Sequence, residues 1–141
     1  MSKREVRMLN VKISDVPYQD RGIYGETITM QDLAQCEKIT ARVIIENNFD
    51  FTGQDVHLFR STLKMTLKEF ARKLEVTDVA VLRWEKGGTI PHAQKVLIKA
   101  FMRHNLELIP ASYPVLSEFK QPELVELEYY TEDDMKRDHA A

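Results

Sequence analysis

The run Met65-Thr-Leu-Lys-Glu-Phe-Ala-Arg-Lys-Leu-Glu-Val-Thr-Asp-Val-Ala-Val-Leu-Arg-Trp-Glu-Lys-Gly87 limits what this chain can fold into more than any other segment. Thr66 and Glu69 form a Thr-x-x-Glu capping box, which starts a helix. Phe70, Ala71 and Leu74 supply an apolar stripe at helical spacing. Val76 plugs a tight turn. Thr77 caps a second helix, with Val81 and Trp84 facing inward and Gly87 at its end. Ala71 is small where two helices must cross closely. The pattern predicts helix, tight turn, helix. Asp78, Val79, Leu82 and Arg83 remain on the outer face, where a recognition helix meets base edges.

Charge follows the same division. The whole chain of 141 residues has a net charge of −2. Residues 53–103 carry ten basic and five acidic side chains, whereas residues 104–141 carry three basic and nine acidic ones. A basic segment coinciding with a helix-turn-helix is the electrostatic footprint of a nucleic-acid binder. No apolar run approaches the length of a membrane span, and the charged N-terminus has no apolar segment behind it, so no secretory signal is expected. The single cysteine excludes an internal disulfide framework and a Cys-rich zinc site. A reducing cytoplasm fits.

Elsewhere the pattern is coarser. Val6–Ile13 alternates in part and is expected to be a strand. Asp15–Gly25 contains Pro17, Gly22 and Gly25 and reads as a turn region. Glu26–Thr29 is expected to be a second short strand, pairing with the first. Thr29 can cap a helix to about Asn47, with Leu33, Cys36, Val43 and Ile44 as its buried stripe. Thr52 is expected to cap the next helix, with Asp55 in its first turn and Val56, Phe59 and Leu63 in the core. Pro91 suits the start of a further helix whose inward face is Ala93, Leu97, Ala100 and Phe101. Residues 104–122 contain Pro110, Pro114 and Pro122 and are expected to be largely extended. Val125–Tyr129 alternates like a strand, although Pro122-Glu123 equally suits a helix start. The charged Thr131–Ala141 reads as a frayed end.

The motif segment resembles the Cro-repressor-like (Xre) helix-turn-helix family over residues 52–103. Ala71, Val76, Val81 and Trp84-Glu85-Lys86-Gly87 carry the match. The resemblance implies that Arg60 and Glu85 pair across the first and third helices of the motif. Two positions depart from the family pattern. Leu67 stands where Gln is frequent, which implies the loss of a contact to DNA. Glu75 stands where Gly is common and would be strained in a left-handed backbone. More loosely, the order of elements over residues 20–103, with Phe51-Thr-Gly53 and Gly88-Thr-Ile-Pro-His92, resembles the MqsA-type antitoxin group. Members of that group with an N-terminal zinc domain use paired Cys-x-x-Cys motifs; Cys36 alone cannot supply that site.

The expected DNA-facing set is Lys68, Thr77, Asp78, Val79, Ala80, Leu82, Arg83 and Lys86. The planar fork of Arg83 suits guanine O6/N7 or a phosphate. Val79 can pack on a thymine methyl, and Asp78 can accept from cytosine N4, although an acid at a helix start also answers the helix dipole. Lys64, Lys68, Arg72, Lys86 and Lys95 are candidates for backbone phosphates, which set affinity and register rather than sequence. His57, His92, His104 and His139 show no ligand spacing, so no metal, cofactor or catalytic group is expected. Trp84 reads as core.

The expected fold is mainly α, an Xre-like helix-turn-helix bundle of about five helices with a small N-terminal β element and an extended C-terminal tail. The expected divisions are 1–51, 52–103 and an acidic extension 104–141. The expected function is a cytoplasmic, sequence-specific DNA-binding repressor that autoregulates its operon. Its partners are double-stranded DNA and a second copy of the chain. Two alternatives stand beside it: an antitoxin that also neutralises a toxin protein, and an adaptor that has lost DNA binding. An enzyme is not expected.

Overall fold

The computed structural model describes residues 2–106 and 118–134. The expected extended run through Pro110 and Pro114 and the end of the acidic tail lie outside them. The described residues form two compact units, one within Met1–Ile39 and Leu124–Ala141 and the other within Thr40–Glu123. This differs from a division at residues 51 and 103.

The first unit corrects the expectation of a mainly α chain. It holds a four-stranded sheet built on a ten-residue strand, so the fold is mixed α/β. β1 (Ser2–Met8) and β2 (Val11–Asp20) form an antiparallel hairpin, not one strand over 6–13. Their two-residue turn is Leu9-Asn10, with Leu9 at φ 55°. It lacks the Asn-Gly or Asp-Gly pair that marks such turns in a sequence. β2 also runs through the expected turn region. Arg4 pairs with Val16 but Val6 with Ile13, so β2 has one residue more than β1 between these pairs. Asp15 sits at this irregularity with φ 60°. The extra residue shifts the alternation by one, and Val11, Ile13 and Val16 are all buried.

β3 (Glu26–Thr27) pairs antiparallel with the end of β2. β4 (Val125–Glu128) pairs parallel with the start of β2, matching Val11 to Val125 and Ile13 to Leu127. Residues 125–130 are therefore paired and bonded, not part of a free extended tail. Gln35 Nε2 donates to the Tyr130 carbonyl at 3.0 Å, and Tyr129 Oη donates to Asp32 Oδ1 at 2.9 Å. That bond to a carboxylate and burial both raise the Tyr129 phenol well above the usual tyrosine range, burial being the larger effect. Lys38 pairs with Glu132 at 3.1 Å, and Thr131 caps a helical turn at 132–134. Residues 131–134 are thus tied down rather than frayed.

α1 (Met30–Glu46) starts where Thr29 Oγ1 accepts from the Asp32 amide at 3.1 Å. Cys36, Val43 and Ile44 are buried as expected, and Ile39 joins them. Leu33 does not; it is partly exposed near the start of the helix. Burial raises the Cys36 thiol to about 11, with Asp32 and Glu37 adding to the shift, so it is an inert small side chain.

In the second unit, α2 (Gly53–Thr62), α3 (Leu67–Leu74), α4 (Asp78–Glu85) and α5 (His92–Asn105) follow the predicted order. Thr52 and Asp55 close a capping box: the Thr52 amide donates to Asp55 Oδ2 at 2.7 Å. Thr66 and Thr77 cap α3 and α4 by accepting from the Glu69 and Ala80 amides, each at 3.1 Å. Phe59, Phe70, Leu74, Val81 and Trp84 form the core between these helices. Leu63, expected in the core, is half-buried.

The inward face of α5 differs from expectation. Ile98, Lys99, Met102 and Arg103 are buried, whereas Ala93 and Leu97 are exposed. Two cations sit inside because that wall of the core is polar. Lys99 Nζ donates to Asn48 Oδ1 and, at 3.3 Å, to the Phe49 carbonyl, and it lies 4.4 Å from the Phe119 ring centre. Burial, then the nearby Arg103, lowers the Lys99 ammonium to about 7. Asn48 also straps residues 118–120: its side chain donates to the Glu118 carbonyl, and its own carbonyl accepts from the Lys120 amide at 2.9 Å.

Four helices end alike. In α1, α2, α3 and α4 the amides of Phe49, Met65, Val76 and Gly88 each reach a carbonyl five residues back, at 2.9–3.1 Å. The left-handed residue each ending needs is Asn48, Lys64, Glu75 or Gly87. Only the last is glycine. A left-handed non-glycine residue costs about 1–2 kcal/mol, partly offset by the lower entropy of its unfolded chain. Glu75→Gly should therefore raise stability by about 0.5–1 kcal/mol, read as a higher urea midpoint.

Gly53 serves a different purpose. A Cβ built on it would lie 1.7 Å from the Trp84 carbonyl oxygen, which is backbone and cannot swing away. Gly53→Ala should cost about 3 kcal/mol or more, beyond ordinary overpacking. Thermal melting checks this, with Ser61→Ala as an exposed control on the same helix.

Candidate nucleic-acid interface

The arrangement begins with what holds α4. Arg60 on α2 makes two parallel bonds to Glu85 at the end of α4, Nε to Oε2 at 3.0 Å and Nη2 to Oε1 at 2.9 Å. This two-point fork fixes orientation as well as distance. Arg60 Nη1 also donates to the Met65 carbonyl at 3.2 Å, joining the α2–α3 turn to the same node. His57, one turn earlier on α2, brings Nδ1 to 2.7 Å from Glu85 Oε1. Burial alone would raise the Glu85 carboxyl, but the Arg60 and His57 bonds outweigh it and hold the group below the usual glutamate range. The expected Arg60–Glu85 pair is present. His57 is an addition, signalled only by its three-residue spacing from Arg60.

With Val81 and Trp84 inward, α4 turns a continuous strip outward. Val79, Leu82, Arg83 and Lys86 are all exposed and follow the i, i+3, i+4, i+7 spacing of one helical face. Ala80 is half-buried on the flank. Thr77 and Asp78 lie at the helix start, and their oxygens serve the helix itself: Thr77 Oγ1 accepts from the Ala80 amide and Asp78 Oδ1 from the Val79 amide at 3.0 Å. Lys68 is exposed on α3. Together with Arg72, Val76, Thr77 and Asp78 it lines a shallow groove of about 390 Å³ between α3 and α4.

The basic surplus of this segment is smaller at the surface than the composition implies. Lys99 and Arg103 are buried, Arg60 is bound to Glu85, and Lys95 Nζ lies 2.7 Å from Asp50 Oδ1. The Asp50 carboxyl is raised by burial, but the Lys95 bond and the Phe51 amide carry it below the ordinary aspartate range. Lys95, expected at a phosphate, is thus held by an acid of its own. Lys64, Lys68, Arg72, Lys73, Arg83 and Lys86 are exposed. Lys68, Arg72 and Lys73 lie on α3, Arg83 on α4, Lys86 at the end of α4, and Lys64 just after α2.

Among the described residues no group of three or more His, Cys, Asp or Glu side chains is placed to hold a metal ion, and no helix is long and apolar enough to cross a membrane. Compared with protein-family models, with curated proteins and with solved structures, the chain matches none.

The Glu85 node carries a pH signature. Its folded carboxyl titrates below the unfolded one, so its contribution is complete above the ordinary glutamate value and is lost as pH falls through the folded value. Glu85→Gln should cost about 2 kcal/mol at pH 7, the range for a hydrogen bond to a charged group. That deficit should shrink as pH falls below the ordinary glutamate value. Urea unfolding of both proteins at pH 7 and at pH 4 measures the difference.

Proposed function

We propose that this protein is a sequence-specific DNA-binding regulator of the helix-turn-helix, Xre-like kind. The observation that carries the reading is the outward strip of α4: exposed along one face, braced from behind by the Arg60–Glu85 fork, carrying Arg83 and Lys86, and flanked by Lys68 and Arg72 in the groove between α3 and α4. An α-helix of this kind fits the major groove, where each base pair shows a distinct pattern of donors, acceptors and methyl groups. Arg83 reads guanine, while Lys68, Arg72 and Lys86 meet phosphates on either side.

One eight-residue helix makes few base contacts. The protein therefore acts as a homodimer on two half-sites about one helical turn apart, and it represses its own operon from the cytoplasm. A second reading is an antitoxin that binds a toxin as well as DNA. Its support is a surface remote in sequence from α4: Ile23, Tyr24 and Met30 are 94%, 79% and 89% exposed. Large apolar side chains so far from burial suit a protein partner.

A mobility shift on the DNA upstream of its own gene, repeated across salt concentrations, tests the proposal. Arg83→Ala should weaken specific binding by about 1–3 kcal/mol without unfolding the protein. Lys68→Ala or Lys86→Ala should weaken binding to all sequences alike and reduce the salt slope by about one per lost contact. Absence of any salt-dependent shift overturns the reading.

A further inference from the structure

We infer that the protein selects its DNA mainly by thymine methyl groups, read by Val79 and Leu82, with Arg83 as the principal hydrogen-bonding reader. The inference rests on the DNA-binding reading above and specifies the class of sequence it prefers. Direct readout needs side chains that are exposed, point away from the core and have spare bonding capacity. Along α4 few polar groups meet all three conditions. Thr77 Oγ1 and Asp78 Oδ1 each accept from a first-turn amide of their own helix, at 3.1 Å and 3.0 Å, which takes up part of their bonding capacity, and Asp78 is half-buried besides. Glu85 is bound by Arg60 and His57. Lys86 follows the last turn of α4 and is a compact point charge suited to phosphate. That leaves Arg83.

The remaining readers are apolar. Val79 is 59% exposed and Leu82 is 38% exposed, although both are side chains that normally seek burial. They are three residues apart, so they stand side by side on the outward face, and Arg83, four residues after Val79, is the other neighbour of that valine. The only apolar group that a standard base pair offers in the major groove is the C5-methyl of thymine. Two adjacent aliphatic side chains next to one guanidinium thus match thymines neighbouring a guanine. Neither amide-bearing residue that would read adenine by paired hydrogen bonds, Asn or Gln, occurs in Asp78–Glu85.

The test begins with a random pool of DNA duplexes, from which the full-length protein selects its ligands. The best ligand is then remade with deoxyuridine in place of thymine at each position, which removes one methyl and leaves every hydrogen bond. The expected result is a loss of about fourfold in affinity for each contacted methyl, equivalent to roughly 0.8 kcal/mol for one buried methyl-sized group. Val79→Ala should lose its sensitivity to deoxyuridine at one position, and Leu82→Ala at its neighbour. Val79→Ala should keep the wild-type melting temperature, and Leu82→Ala, whose side chain is 38% exposed, should lower it only slightly without unfolding the protein.

Two results overturn the inference while leaving DNA binding intact. One is equal binding of thymine and deoxyuridine duplexes. The other is a thymine preference that persists unchanged in both alanine variants. Failure to enrich any duplex overturns the DNA-binding reading itself, and a protein bound through Val79 and Leu82 then becomes the alternative.

Discussion

The close crossing of α2 and α4 is the contact on which the second unit depends. Trp84 can sit in the core, and α4 can turn its other face outward, only if the start of α2 comes up against the end of α4. Gly53 permits this, since any side chain there would collide with the Trp84 carbonyl. The Arg60–Glu85 fork then sets the angle, because two parallel hydrogen bonds resist rotation as one would not. Packing alone would bring the helices together without choosing their orientation so narrowly. The outward strip is therefore a consequence of contacts on the opposite face.

Charge in this protein does two separate jobs. Arg60, Lys95, Lys99 and Arg103 work inside the helical unit, bracing helices or filling polar gaps in the core. Lys64, Lys68, Arg72, Lys73, Arg83 and Lys86 work at the surface. Composition cannot separate the two groups, since a lysine paired with Asp50 and a lysine facing solvent count the same. Once they are separated, the surface charge is lower than the composition implies.

The first unit is assembled from both ends of the described chain. β4 closes onto the start of β2 after a long excursion through the helical unit, and Tyr129 and Tyr130 continue that path onto α1. The alternating Val125–Glu128 segment suited a strand, but its partner lies more than a hundred residues away, and nothing local indicates it. The same limit applies to the hairpin. Leu9-Asn10 turns the chain without the usual residues, and the irregularity at Asp15 puts Ile13 and Val16 on the same side despite their odd spacing. A reading that relies on strict alternation ends the strand too early, and so underestimates how much sheet the chain contains.

What the sequence determined by itself was local. Thr52, Thr66 and Thr77 cap helices because a hydroxyl or carboxylate within three residues of a free amide can satisfy it without help from the rest of the fold. The inward placement of Val81 and Trp84 followed from helical periodicity, and the strain anticipated at Glu75 is present as a left-handed backbone. Tertiary structure decided everything that needed a distant partner. It placed Lys99 inside because Asn48, Phe49 and Phe119 meet there, left Leu97 outside although it is apolar, and made Gly53 indispensable through a carbonyl thirty-one residues away. Periodicity reports which residues share a face. Only the packed structure shows which face is covered, and by what.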